Sequence, residues 1–348
     1  AGYATGYIGK WHLDGHGRSS FIPRDRRQGF DFWRVLECTH DYNKSSYFGD
    51  DDTKRTWDGY DAIAQTREAQ RYIHERPDDK PFALFLSWGP PHDPYETAPP
   101  EYRAMYDASR LVLRPNVPRE HEAVARRAAA GYYAHCSVLD TCVGDLLNTI
   151  DECGIADDTV FVFTSDHGDM LGSQGETHKQ RPWDESIRVP FLLRYPRRYG
   201  RRARTCEMML NSVDIMPTML GLCDARIPKA VEGRDRSREF ARSGADDDDA
   251  ALLACYSPFG QWTRARGGRE FRGVRTPRYT CIRSLAGPWL LYDNQTDPYQ
   301  VANLCNVPGN EKLRRRLDPL LARKHDESGD SFLPSRHYIA HWGYKTDA

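Results

Sequence analysis

The chain lacks any apolar run long enough to cross a membrane: its mean hydropathy is −0.74, and no stretch nears the roughly 18 residues a spanning helix needs. A field of one sign is lacking too. Lys and Arg number 49 against 50 Asp and Glu, a formal net charge of −1, so bulk electrostatics recruit neither nucleic acid nor an anionic lipid surface, and the substrate must be recognised locally. The nine cysteines include no CxxC pair and are odd in number. That usage fits reduced, buried thiols and argues against a disulfide scaffold or a cysteine zinc site. It leans towards a reducing, cytoplasmic setting, with periplasm or secretion left open. There is no internal repeat. Residue 1 is Ala, and the chain enters AGYATGYIGKWH without a turn or cap. The expectation is an absent N-terminal piece, on which a signal peptide could have stood.

What is present is organised around Val160 to Tyr195, VFVFTSDHGDMLGSQGETHKQRPWDESIRVPFLLRY. Two short apolar runs bracket a polar insert holding Asp166, His167, Asp169, His178 and Lys179, and runs of that length between turn formers read as buried strands. Polar groups just past a strand end stand where open α/β sheets bind ligands. At 348 residues the chain can bury a large core, and it suits one α/β domain with an appendage or two domains.

Other strand ends carry similar groups. Tyr3 to Ile8 reads as a strand delivering Lys10, Trp11 and His12, and Phe82 to Trp88 as another, followed by GPPHDPY and so by His92. Phe21 to Thr56 has no clean period and is expected as long loops. Ile63, Ala69, Tyr72 and Ile73 predict a helix from Asp58 to Arg76 that Pro77 ends. Arg119 to Cys153 is the longest helical pattern, with a stripe through Val124, Ala128, Tyr132, Cys136, Leu139, Leu146 and Ile150, and Gly154 as its stop. Strand, helix, strand at this spacing predicts a parallel βαβ sheet. NSVDIMPTMLGLC predicts a helix capped by Ser212 or Asp214. Arg226 to Ala250 turns polar and ends in Asp246 to Asp249. Beyond it RGVRTPRYTCIRS and PWLLYDNQTDPYQ alternate as antiparallel strands, and Asn310 to His325 reads as a charged helix before a covering tail.

Lys10 and His12, His92, the Asp166/His167 pair and Lys179 all stand at or near strand ends. Two lysines and two or three histidines converging with a carboxylate suit an oxyanion such as sulfate or phosphate with a metal beside it, the equipment of a hydrolase for an anionic ester. Each residue also has a bland reading: Asp166 as a helix cap, His92 as a turn buttress, Lys179 as a solvated charge. His16, Asp14, His40 and Asp50 to Asp52 read as surface loop residues.

The blocks GYATGYIGKWHLDG, SWGPPHDPY, FTSDHGDMLGSQG, KQRPWDESIRVPFLLRYP, SVDIMPTML and VRTPRYTC with LYDNQTDPYQVANL resemble, in order, those of the sulfatase family within the alkaline phosphatase superfamily. The resemblance implies a mixed, mostly parallel sheet between helices, with a smaller C-terminal antiparallel subdomain. It also implies a catalytic core over 1–225, a polar linker or insertion over 226–250 and the subdomain with its covering helix over 251–348. Lys10 then matches the lysine contacting the ester oxygens and the nucleophile, His12 the histidine that helps break the enzyme-bound sulfate ester, and His92 the histidine that favours departure of the alcohol. Lys179 matches the second sulfate-binding lysine, and Asp166 with His167 match half of a divalent metal site. His167 leaves Ca2+ or Mn2+ open, since calcium prefers oxygen ligands and imidazole also suits manganese.

The sequence also departs from the family. Members carry paired acidic metal ligands and a C/S-x-P-S-R block, whose Cys or Ser becomes a formylglycine nucleophile, upstream of the GKWH block. Here the PSR of Pro334 to Arg336 has Phe332 at the nucleophile's position. The 348 residues alone are therefore expected to show no turnover, while the intact protein would cleave a sulfate monoester of a sugar or aryl alcohol. A phosphonate monoester or phosphodiester hydrolase of the same superfamily is the alternative, and a non-catalytic protein binding sulfated ligands is a second one.

Overall fold

The structure, a computed structural model, describes residues 1–76, 79–241 and 249–344. Pro77, the expected helix stop, and Asp246 to Asp248 of the acidic run lie outside the described residues. The chain divides into two compact units: Ala1–Leu113 with Glu120–Thr159 and Tyr195–Arg198, and Arg114–Arg119 with Val160–Arg194 and Tyr199–Ala348.

In the first unit, β1 (Ala4–Lys10), β2 (Phe32–Leu36), β3 (Ser46–Phe48), β4 (Lys54–Thr56) and β5 (Phe82–Ser87) form a sheet in the order β4-β3-β2-β1-β5. β1 runs parallel to both neighbours, with Gly9 opposite Val35 on one side and Ser87 on the other. The parallel ends of β1 and β5 are thus adjacent, and each leads into a candidate residue. β2, β3 and β4 continue antiparallel, so the segment expected as loops contains strands, two of them only three residues long, too short to show a period of two.

Two helices of this unit, α1 (Asp61–Glu75) and α3 (Glu122–Glu152), pack together through a buried cluster that includes Ala62, Val138, Leu139 and Cys142. The short α2 (Pro100–Arg103) lies between them in sequence. The buried face of α3 follows Ala125, Ala129, Ala134, Val138 and Leu139, whereas Val124 is exposed. The N-terminal half of the stripe is therefore rotated by one residue from the expected one. Small side chains take the inward positions because the loop at Tyr95 comes so close that a Cβ on Gly131 would sit 2.3 Å from its carbonyl oxygen.

In the second unit, β6 (Phe161–Thr164) and β7 (Phe191–Arg194) pair antiparallel, joined by a loop that includes the one-turn α4 (Asp184–Ile187). The pairing of β6 with β7 is local in sequence, which keeps the entropic cost of closing the intervening loop low. The one-turn α5 (Pro196–Tyr199), most of which belongs to the first unit, comes next in sequence, then α6 (Ser212–Leu222) in the second. The N-cap of α6 is Asn211, one residue before the expected caps, and Asp214 completes a capping box by accepting from the Asn211 backbone N–H. A sheet of β8 (Ala251–Cys255), β9 (Phe271–Arg275), β10 (Tyr279–Ser284) and β11 (Gly287–Asp293) is antiparallel throughout. α7 (Glu311–Ser328) buries Leu317 and Leu321 against Val274, Cys281 and Leu291, and α8 (Ser335–Trp342) follows.

Candidate active site

Lys10, His12 and His92 fall in the first unit. The ladder between β1 and β2 continues past Lys10, with Trp11 N–H donating to Leu36 O at 3.0 Å and His12 N–H to Glu37 O at 2.9 Å. Trp11 packs into a buried cluster with Ile22, Trp33 and Val35, so Lys10 and His12 project from a segment pinned on both sides. His12 has φ 58, a left-handed backbone that costs of order 1–3 kcal/mol in a non-glycine residue and persists where the surroundings over-determine it. Those surroundings include Glu37, buried at 5% exposure, whose carboxylate accepts from the backbone N–H groups of Asp14 and Gly15 at 3.0 Å each.

Gly9, at the same strand end, meets the sterics of a close approach. Its φ is 104, and a Cβ there would sit 2.1 Å from Ser87 O on β5, so glycine alone lets the two strand ends stay at ladder spacing. Beside it, a small recess is lined by Gly9, Lys10, Thr39, Ser45, Asp61 and Gln65. Among the described residues Asp61 Oδ1 and Gln65 Oε1 are buried there without a hydrogen-bond partner, and burial pushes the Asp61 carboxyl up to about 7.

His92 sits in the turn after β5. Its Nδ1 is 3.0 Å from both the carbonyl and the Oδ1 of Asp93; both are acceptors, so Nδ1 carries a hydrogen and Nε2 is the nitrogen left to face away from Asp93. The turn is tied to the helices by buried polar contacts. Tyr42 Oη donates to Asp93 O at 3.1 Å, and His135 Nε2, on α3, donates to Pro94 O at 3.2 Å. His135 Nδ1 therefore accepts from Tyr60 Oη, 2.5 Å away. Burial holds the His135 imidazole down at about 4, hence neutral.

His40, expected as a surface loop residue, belongs with these groups: its ring lies 4.8 Å from that of His92, tilted by 31°. Asp14, expected at the surface too, keeps its carboxylate buried against Arg26 at 2.6 Å. Neither was legible from local pattern, because both contacts cross gaps in sequence that carry no periodic signal.

Asp166, His167 and Lys179 fall in the second unit. Asp166 and His167 follow the end of β6; Asp166 Oδ2 is 3.6 Å from His167 Nε2, with the carboxylate largely exposed. His167 Nδ1 donates to Gly168 O at 2.8 Å, leaving the Nε2 lone pair on the Asp166 side. Gly168 is required by close packing, since a Cβ would meet Glu185 O at 2.0 Å. The loop carrying Lys179 has φ above zero at Leu171, Gln174, His178 and Gln180. Buried side chains hold it in that shape: Arg181 pairs with Glu176 at 2.9 Å, and Asn116 donates to Glu185 Oε1 at 2.8 Å. In the PWDES block, Asp184 pairs with Arg275 of β9 at 3.0 Å and Trp183 Nε1 donates to Tyr292 Oη at 3.1 Å. These residues support the loop and were missed as site residues because their partners lie about a hundred positions downstream.

The donor chemistry of Asp166 and His167 suits a divalent cation, but among the described residues no three His, Cys, Asp or Glu side chains gather in one place. The described residues do not complete a metal shell.

Comparison with known proteins identifies the family. The sulfatase family model matches residues 1–225, and that of the N-sulphoglucosamine sulphohydrolase C-terminal region matches residues 172–327. An ulvan-active sulfatase of Formosa agariphila is 41% identical over 99% of this chain and 67% of its own length. An endo-4-O-sulfatase of Bacteroides thetaiotaomicron is 28% identical over 94% of this chain and 72% of its own. Among solved structures, BT4656 in complex with its substrate D-glucosamine-2-N,6-O-disulfate superposes with a TM-score of 0.78 at 22% identity, covering 95% of this chain and 81% of that one. Members of this family generally use a divalent metal and a formylglycine. The six ordered blocks, the superposed fold and these matches agree: the chain belongs to the sulfatase family of the alkaline phosphatase superfamily and is a sulfatase-type hydrolase.

Proposed function

We propose that the protein cleaves a sulfate monoester of a carbohydrate, with Lys10, His12, His92 and Lys179 as its catalytic side chains. The observation that carries this reading is the adjacency of β1 and β5 in parallel, Gly9 opposite Ser87, which presents Lys10 and His12 beside the turn of His92. Lys10 and Lys179 are assigned to the sulfate oxygens, where ammonium charges stabilise the density that shifts during S–O cleavage. His92 is assigned to the leaving alkoxide, which must gain a proton, and Asp93 keeps its ring oriented. His12 is assigned to the later release of sulfate. A sugar is favoured over an aryl alcohol because two relatives covering most of the chain carry ulvan and N-acetylglucosamine in their names.

Asp166 and His167 would hold part of a divalent site, with Ca2+ preferred and Mn2+ the alternative; such an ion, when bound, polarises an ester oxygen. The nucleophile is assigned to a formylglycine derived from a C/S-x-P-S-R block, which the 348 residues do not contain. Turnover of matched saccharide sulfate, aryl sulfate and aryl phosphonate by the intact protein tests the reading. Preference for the saccharide sulfate is expected; preference for the phosphonate overturns it. The 348 residues alone are expected to hydrolyse none of the three.

A further inference from the structure

His40 stands two residues beyond buried Cys38 and touches groups that the functional reading already uses. Arg18 Nη2 lies 3.3 Å from His40 Nε2 and 3.2 Å from Cys38 Sγ. A guanidinium has only donors, so a hydrogen bond at this place requires His40 Nε2 to present its lone pair. The proton of a neutral His40 must then be on Nδ1. The same inference for His92, from the two acceptors at its Nδ1, puts a hydrogen on that nitrogen and turns Nε2 away from Asp93. Two imidazoles in ring contact thus have tautomers fixed by different partners, Arg18 for one and Asp93 for the other.

We propose that His40 is a positioning residue for the sulfatase reaction: an imidazole locked neutral by Arg18, whose ring backs His92 and leaves proton transfer to His92 alone. The charged and titratable groups facing His40 are His92, Arg18, Asp93 and Lys10. Burial first, then His92 and Arg18, hold it down at about 4, in accord with the geometry. An imidazolium here would repel Lys10 and stand as a second proton donor beside His92. This role rests on the sulfatase reading, whereas the tautomer lock does not.

The test uses the full chain labelled with 15N histidine, and inorganic sulfate as the probe. The wild type is expected to show His40 as the Nδ1–H tautomer with no titration of its signal from pH 8 to pH 5. With the titration carried on down to pH 3, Arg18→Gln should free Nε2 and move the His40 midpoint upwards by roughly half a pH unit or more. An Nε2–H tautomer in the wild type, or an unchanged titration in Arg18→Gln, overturns the lock. His40→Ala should weaken sulfate binding several-fold and His40→Phe, which keeps a ring against His92, should restore most of it. Equal loss in both variants with unchanged melting temperatures overturns the positioning role. If the wild type binds no sulfate while the tautomer is as stated, the sulfatase reading of this site fails and the lock stands.

Discussion

Tyr60 and His135 meet at 2.5 Å between hydroxyl oxygen and Nδ1, and through that bond α1, α3 and the turn of His92 are fastened to one another. His135 passes the tie on by donating to Pro94 O, so one neutral, fully buried imidazole bridges a helix-start tyrosine and the turn that carries His92.

Acid should loosen that bridge. His135 is held at about 4 from an ordinary value of 6.5, a folded-state depression. The unfolded chain takes up a proton below pH 6.5 and the folded chain only near pH 4, so stability is lost as pH falls through that window. The full loss is on the order of 3 kcal/mol. His40 is depressed over the same range, so the wild-type slope contains both. Urea unfolding at stepped pH should show a shallower acid slope for His135→Phe, although that variant starts less stable by about 1–3 kcal/mol for each buried polar group left unpaired.

Asp61 should act with the opposite sign. Its carboxyl is raised from 3.8 to about 7 by burial, so its contribution is fully present below pH 3.8 and is lost as pH rises to about 7, by on the order of 4 kcal/mol. In Asp61→Asn the stability profile between pH 4 and 7 should lose this decline. An unchanged profile would show that the carboxyl ionises in the fold as it does in water.

Much of this was readable from residue order, and the failures have a common cause. The ends of β1, β5 and β6 were marked by apolar runs stopping at Lys10, at the GPPHDPY turn and at Asp166, because strand burial and turn chemistry are local. The partner of β6 was not readable, since pairing depends on which edge is open in three dimensions. His40 was hidden for a related reason: its environment comes from Arg18 and His92, 22 and 52 positions away by numbering, and no period connects them.

The Asp184–Arg275 pair should matter more than its distance from chemistry suggests. Both side chains are largely buried, with 6% and 12% exposure. Arg275→Met would leave the carboxylate uncompensated and cost about 3–5 kcal/mol. Hydrogen exchange should then rise across 169–181, the loop of Lys179. A double variant Asp184→Asn/Arg275→Met should recover part of the loss.

Gly9→Ala should be the most damaging single methyl in the first unit. It combines a positive φ with a Cβ aimed at Ser87 O, so a loss of more than 2 kcal/mol in chemical unfolding is expected. Sulfate binding should fall even under conditions where the variant remains folded.

That missing methyl sets a mechanical tolerance. At Gly9 the gap between β1 and β5 is governed by main-chain hydrogen bonds alone, with no side chain acting as a spacer. The separation between the Lys10 and His92 segments therefore inherits the stiffness of the ladder instead of the softness of packed rotamers. Loops elsewhere can lengthen or change their residues to suit a different sugar while the two charge-bearing strand ends keep one fixed pitch.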